Sequence, residues 1–119
     1  MQFKVTAQSA GSFDAVSVDG ELDHSTAGEL RSALATVLDE GSGSVLVDFS
    51  DCTFIDSTGL SLLVEAKRRL SEEQRSFGVC CARADLKRLL EMTGIDEAVG
   101  LFETRDEAIS ALNGAPDSG

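Results

Sequence analysis

Nowhere does the sequence carry an apolar run approaching the roughly 20 residues that a helix needs to cross a bilayer. Basic residues are also scarce. Ten Lys and Arg stand against twenty-one Asp and Glu, a net charge of -11, which opposes binding to phosphate backbones or anionic lipid and favours solubility or a basic partner. The three cysteines include no CxxC pair, and His24 is the single histidine, so no metal framework is spelled out. Cys80 and Cys81 follow Phe77 and Val79 in an apolar run and read as small core residues. The one proline, Pro116, lies in "GAPDSG", so residues 114–119 are expected to form a mobile tail behind a domain of residues 1–113. The opening "MQFKVTAQSAG" alternates apolar and polar residues and lacks the apolar middle of a secretory signal, so a cytoplasmic protein is expected.

What is present fits one domain with a real core. At 119 residues, folding hides roughly two thirds of the unfolded chain's surface. Phe3, Val5 and Ala7 alternate with polar residues, as do Val16, Val18 and Leu22; this is the period of half-buried strands, with a hairpin around Ala10 to Ser12. In "TAGELRSALATVLDEG", Ala27, Leu30, Leu34, Val37 and Leu38 mark one helical face, Thr26 and Glu29 have capping-box spacing, and Gly41 can close the end. "VLVDF" at 45–49 is apolar on both faces except at Asp48, which predicts a central strand covered from both sides. A second helix follows, capped by Asp56, lined by Leu60, Leu63, Val64 and Leu70, and ending in Lys67, Arg68 and Arg69. A strand at about 76–81, a helix from about Asp85 to Met92 stopped by Gly94, a short strand near Leu101 and a helix from Thr104 complete the order. Thr104 and Glu107 repeat the capping-box spacing. This alternation implies an α/β domain: a mixed, mostly parallel sheet with helices packed against it and right-handed crossovers.

Between the central strand and the second helix runs "DFSDCTFIDSTGLSLL". With Asp56 as cap, Ser57 takes the first helical position and its hydroxyl is not needed by the backbone. A side chain there points outward beside amides that lack intrahelical partners, at the positive end of the helix dipole, so an attached anion is tolerated. A phosphate adds about -1.5 to -2 charges, with Asp56 and Asp23 expected nearby to repel it. Gly59, inside the first turn, sits where glycine is about 1 kcal/mol worse than alanine, and its missing side chain lets another surface approach. From spacing alone, ordinary first-turn roles for Ser57 and Thr58 stay open.

The segment "FIDSTGLSLL", the strand "VLVDFSDC" before it and "VDGELDHSTAGEL" further upstream closely resemble anti-sigma factor antagonists of the STAS-domain family, with the order of elements matching over nearly the whole chain. The resemblance implies a single STAS-like domain that is not an enzyme and carries no cofactor or metal. It implies that Ser57 is phosphorylated by a partner that is both an anti-sigma factor and a serine kinase with a GHKL-type ATP site. A PP2C-type serine phosphatase then resets the switch. By the same resemblance, the unphosphorylated antagonist binds the anti-sigma factor and frees the sigma factor, and phosphorylation breaks the complex. Asp23 and His24 are expected beside the Ser57 turn, forming the docking surface with Asp56, Ser57, Thr58 and Gly59. Thr26 reads better as a helix cap than as a contact, and Leu60 as core.

Three other readings are weighed. A serine hydrolase elbow needs glycine two residues before the serine, where Ile55 stands, and its histidine follows the serine, whereas His24 precedes Ser57. A receiver domain phosphorylated at Asp48 lacks the acidic pair after the first strand and the lysine at the end of the last. "GSGS" at 41–44 precedes a strand and so lacks the context of a dinucleotide loop. A STAS module that scaffolds a complex without a phosphoswitch stays open.

Overall fold

The computed structural model describes residues 3–10, 12–81, 83–95 and 99–114. The expected tail, apart from Gly114, lies outside the described residues. Strands β1 (Lys4–Ala10) and β2 (Phe13–Leu22) form an antiparallel hairpin with Ala10 opposite Phe13. Helix α1 (Ala27–Glu40) returns the chain to β3 (Ser44–Ile55), which runs parallel to β2. Helix α2 (Ser57–Glu72), strand β4 (Phe77–Cys80), helix α3 (Ala84–Met92), strand β5 (Gly100–Phe102) and helix α4 (Arg105–Gly114) follow. The sheet order is β1-β2-β3-β4-β5, with only the first pair antiparallel, so β3 lies at the centre as its unbroken apolar run requires.

Alternation along β3 builds two cores. Val45, Val47 and Phe49 face the larger one, formed with the buried stripes of α1, α2 and α3. Leu46 faces the other way, where it meets Phe13, Ala15, Cys80 and, from α4, Ala108. All three cysteines are free and buried. Burial raises each thiol's pKa, that of Cys80 to about 12 with the adjacent Asp48 carboxylate adding to the effect, so they pack as core residues and not as reactive thiolates.

Three local expectations need correction. Thr26 stands at the N-cap of α1 without a capping bond from its side chain. Its hydroxyl donates to the Glu21 carbonyl at 2.8 Å and accepts from the Asp23 amide at 2.9 Å, while the Asp23 carbonyl already takes the Ala27 amide. The turn that begins at Asp23 therefore does the capping. In α2 the buried stripe is Gly59, Leu62, Leu63, Ala66 and Leu70; Leu60 is partly buried and Val64 is 51% exposed, because the helical period carries both off that stripe. At α4 the Thr104 hydroxyl does accept the Glu107 amide, but the Glu107 carboxylate takes the amide of Glu103, one residue earlier than a capping box requires.

Among the described residues, two charged side chains are buried. Arg75 follows Gln74, whose φ of 59° makes the left-handed turn that ends α2 and lets the Arg75 amide reach the Leu70 carbonyl. That turn aims its guanidinium, with 5% of the side chain exposed, at the end of α1. It donates to the carbonyls of Gly43 at 2.8 Å, Leu38 at 3.1 Å and Val37 at 3.3 Å, and pairs with Glu73 at 2.9 Å. Asp48, 8% exposed on the α4 face, pairs with Arg105 at 3.0 Å and accepts the Ser50 amide at 2.8 Å. Arg105 also reaches Ser17 and Gln8, tying α4 to β1, β2 and β3.

Desolvation pushes the Asp48 carboxyl up, but the hydrogen bonds from Ser50, Cys80 and Arg105 outweigh it and hold it below its ordinary value. The folded state thus favours the charged form. That stabilisation is full above the unfolded pKa of about 3.9 and is lost as pH falls through the folded value. Asp48→Asn should be less stable than wild type by about 1–2 kcal/mol at neutral pH, a modest figure because Arg105 is a third exposed. Urea unfolding at about pH 7 and about pH 3 checks this; the gap should narrow at the acid end. A gap of constant size would mean that the charge of Asp48 contributes nothing.

Candidate functional site

The carboxyl ends of β2 and β3 meet at the start of α2. Two register shifts between these strands, at Ser17/Asp19 and Gly20/Glu21, each place an extra residue in β3; Gly20 adopts the φ of 100° found at the second. Leu22 and Ile55 then finish in register, and the Leu22 carbonyl accepts the Asp56 amide at 3.1 Å.

Asp56 is the hub of the site. Its Oδ1 accepts the amides of Thr58 at 2.9 Å and Gly59 at 3.4 Å, capping α2 as expected. Its Oδ2 accepts the backbone amide of His24 at 3.1 Å. One carboxylate thus fixes the helix start and the 23–26 turn to each other, which places Asp23 and His24 beside the Ser57 turn. Asp23 in turn accepts the Ser25 hydroxyl at 2.7 Å and the amides of Ser25 and Thr26, led by the hydroxyl in holding its carboxyl below the ordinary range.

Ser57, the first residue of α2, is exposed, and among the described residues its hydroxyl has no hydrogen-bond partner. Only its carbonyl is engaged, by the Ser61 hydroxyl at 3.0 Å. His24 meets Asp56 through its backbone and brings no ring nitrogen to Ser57. The amide donors expected to receive an anion are partly taken: Asp56 holds those of Thr58 and Gly59. A phosphate on Ser57 would stand against that carboxylate.

Gly59 is buried, which corrects its expected role. The surface that approaches it belongs to the same chain: a methyl group added there would lie 2.7 Å and 2.9 Å from Leu22 side-chain atoms and 3.1 Å from Ile55. Leu22 and Ile55 are themselves buried at the strand ends, with little freedom to give way. Gly59→Ala should therefore destabilise the fold by about 1–2 kcal/mol, the overpacking exceeding the gain of about 1 kcal/mol in helix propensity. Thermal unfolding measures it; an unchanged or higher midpoint would show that the core relaxes freely.

Beside Ser57 opens a concave surface of about 440 Å³, lined by Leu60, Ser61, Val64, Thr93 and Ile95, with Glu65 its one charged lining residue among the described residues. Val64, 51% exposed, adds apolar area to it. Sequence periodicity missed this patch by placing Leu60 and Val64 in the core. The signal was there in the spacing: 59, 62, 63, 66 and 70 fit a helical stripe without them.

The STAS domain model matches residues 4–108. The chain is 27% identical over 99 residues to the anti-sigma-F factor antagonist RsfB of Mycobacterium tuberculosis, covering 83% of this chain and 80% of that protein. It is 27% identical over 103 residues to an anti-sigma-B factor antagonist of Staphylococcus aureus, covering 87% and 95% respectively. Among solved structures, an anti-sigma factor antagonist from Mycobacterium paratuberculosis superimposes with a TM-score of 0.86 at 29% identity, over 94% of this chain and 95% of that one. The unphosphorylated form of SpoIIAA shares the fold, with a TM-score of 0.72 at 19% identity over 96% and 100% of the two chains. The match of 105 of the 119 residues (4 through 108), on the five-stranded sheet just described, places this chain in the STAS domain family.

Proposed function

We propose that this chain is an anti-sigma factor antagonist, a binding protein and not an enzyme, whose grip on its anti-sigma factor is released by phosphorylation of Ser57. The observation that carries the proposal is the exposed Ser57 hydroxyl, left without a partner because Asp56 alone caps α2. Relatives matched over most of their length bear the names of anti-sigma factor antagonists, which supports the same reading. The docking surface comprises Asp23, His24, Asp56, Ser57 and Thr58, extended by the apolar patch of Leu60 and Val64.

In this reading the partner is a serine kinase of the GHKL type that is itself the anti-sigma factor. It supplies ATP, magnesium and most of the transition-state stabilisation, while Ser57 supplies the attacking oxygen. That oxygen bonds to the γ-phosphorus as the bond to ADP breaks, and its proton passes to a base of the kinase. A PP2C-type phosphatase hydrolyses the phosphoserine to restore binding. Among the described residues Glu65 is the one charged side chain lining the surface beside Ser57, so none of them offers a cation to the new phosphate and its charge faces the partner.

The test is incubation with the cognate kinase, ATP and magnesium, followed by intact-mass and peptide mass spectrometry. Wild type should gain one phosphate on the peptide containing Ser57, and Ser57→Ala should gain none. Equal modification of the alanine variant would falsify the site. Tight partner binding with no phosphorylation of either protein would instead identify a scaffold.

A further inference from the structure

The turn of residues 23–26 is nearly self-contained. The Thr26 amide donates to the Asp23 carbonyl at 3.1 Å, which closes a β-turn with His24 at its second position. Asp23 Oδ1 accepts the Ser25 amide at 2.9 Å and the Ser25 hydroxyl at 2.7 Å, and the Thr26 hydroxyl ties the turn back to the Glu21 carbonyl at 2.8 Å. These bonds set its shape. Buried Leu22 and Ala27 hold its two ends, but His24 and Ser25 at its tip are exposed, and nothing in the internal bonds fixes that tip against α2. Among the described residues, the one hydrogen bond from the turn to the start of α2 is that of the His24 amide to Asp56 Oδ2 at 3.1 Å, across 32 positions of the chain.

Asp56 uses its two oxygens for separate tasks. Oδ1 accepts the amides of Thr58 and Gly59, which is the ordinary work of a helix cap and which asparagine performs about as well. Oδ2 serves His24, which no cap requires. Asparagine has one acceptor oxygen, so with that oxygen on the helix amides its NH2 group would face the His24 N–H, donor against donor. A carboxylate at position 56 can therefore do what other caps cannot: hold the helix start and a distant turn at once.

We infer that Asp56 is a positioning residue, whose second oxygen latches the 23–26 turn to the start of α2 so that the anti-sigma factor meets a surface already assembled. The inference rests on the docking surface proposed for this site. Its energetic basis is preorganisation, since a turn tip that must be ordered during binding costs affinity. The latch can be cut from either end. His24→Pro removes the N–H, and proline suits the second position of such a turn; His24→Ala keeps the N–H and controls for the imidazole. Asp56→Asn cuts the bond from the other side with the helix cap retained. Against the kinase of the phosphorylation test, His24→Pro and Asp56→Asn should each bind about tenfold more weakly than wild type, as loss of one hydrogen bond to a charged acceptor implies, while His24→Ala should match wild type. The double variant His24→Pro/Asp56→Asn should bind no more weakly than either single variant, because both remove the same bond. Without any partner, hydrogen exchange of the His24 amide should be about tenfold faster in Asp56→Asn than in wild type. Equal affinity of His24→Pro and His24→Ala, additive losses in the double variant, or unchanged exchange at His24 would each overturn the latch. Failure of wild type itself to bind would instead sink the docking reading, and the exchange measurement would still decide whether Asp56 holds the turn. Should His24→Pro fold poorly, Asp56→Asn compared with His24→Ala, together with the exchange rate, gives the answer.

Discussion

Arg75→Ala should lower the free energy of unfolding by about 3 kcal/mol, measured by guanidinium chloride unfolding at neutral pH. The side chain is almost wholly buried and donates to three backbone carbonyls, those of Val37, Leu38 and Gly43, while pairing with Glu73. Two of these carbonyls belong to the last turn of α1, where the helix leaves its final acceptors without intrahelical donors and the dipole is negative. Removing the guanidinium leaves the Leu38 and Gly43 carbonyls without this donor, while that of Val37 keeps the Gly41 amide at 3.0 Å. Hydrogen bonds to a charged donor contribute about 1.5–3 kcal/mol each but do not add, which sets the total near 3. Arg75→Lys should recover less than half of the loss, since a single ammonium cannot fork toward three carbonyls. A loss under about 1 kcal/mol for the alanine variant would mean that water replaces the staple.

Ser57→Asp should weaken binding to the anti-sigma factor by about a hundredfold, near 2.8 kcal/mol, whereas Ser57→Ala should bind within a few-fold of wild type. The asymmetry follows from the site's charges. Asp56 lies at the neighbouring position and keeps its carboxylate on the helix amides and on His24, so an added anion at 57 gains few local donors. The uncompensated charge then acts on the partner through repulsion and desolvation. Because the position is exposed and the cap is untouched, the melting temperature of either variant should stay within a few degrees of wild type. Surface plasmon resonance against the immobilised partner distinguishes the outcomes. Equal affinities for the two variants would remove charge as the basis of the switch, and equal weakening of both would make the hydroxyl itself a contact.

Much of this was legible in the residues. The apolar run at 45–49 required a strand covered on both sides, and β3 is central with helices on both faces of it. Asp56 could be named as a cap because a side chain that serves amides two and three residues ahead needs only local geometry. Thr26 shows the limit of such reasoning. Its spacing to Glu29 fits a capping box, yet its hydroxyl turns back to Glu21 and Asp23, because the turn at Asp23 had already supplied the acceptors. Gly59 shows it again: an empty position invites a neighbour, but only the folded sheet reveals that the neighbours are Leu22 and Ile55.

The sequence by itself determined the element order, the central strand, the exposed serine after its cap and the family, since each is written in patterns a few residues to a dozen long. Tertiary structure alone decided what lies far apart along the chain: Arg75 on the carbonyls of α1, Arg105 on Asp48, and Asp56 on His24. The physical reason is that periodicity reports which face of an element is buried but not which partner buries it. A polar side chain such as Arg75 carries no periodic signal of its own, so its burial follows from where two helix ends happen to meet.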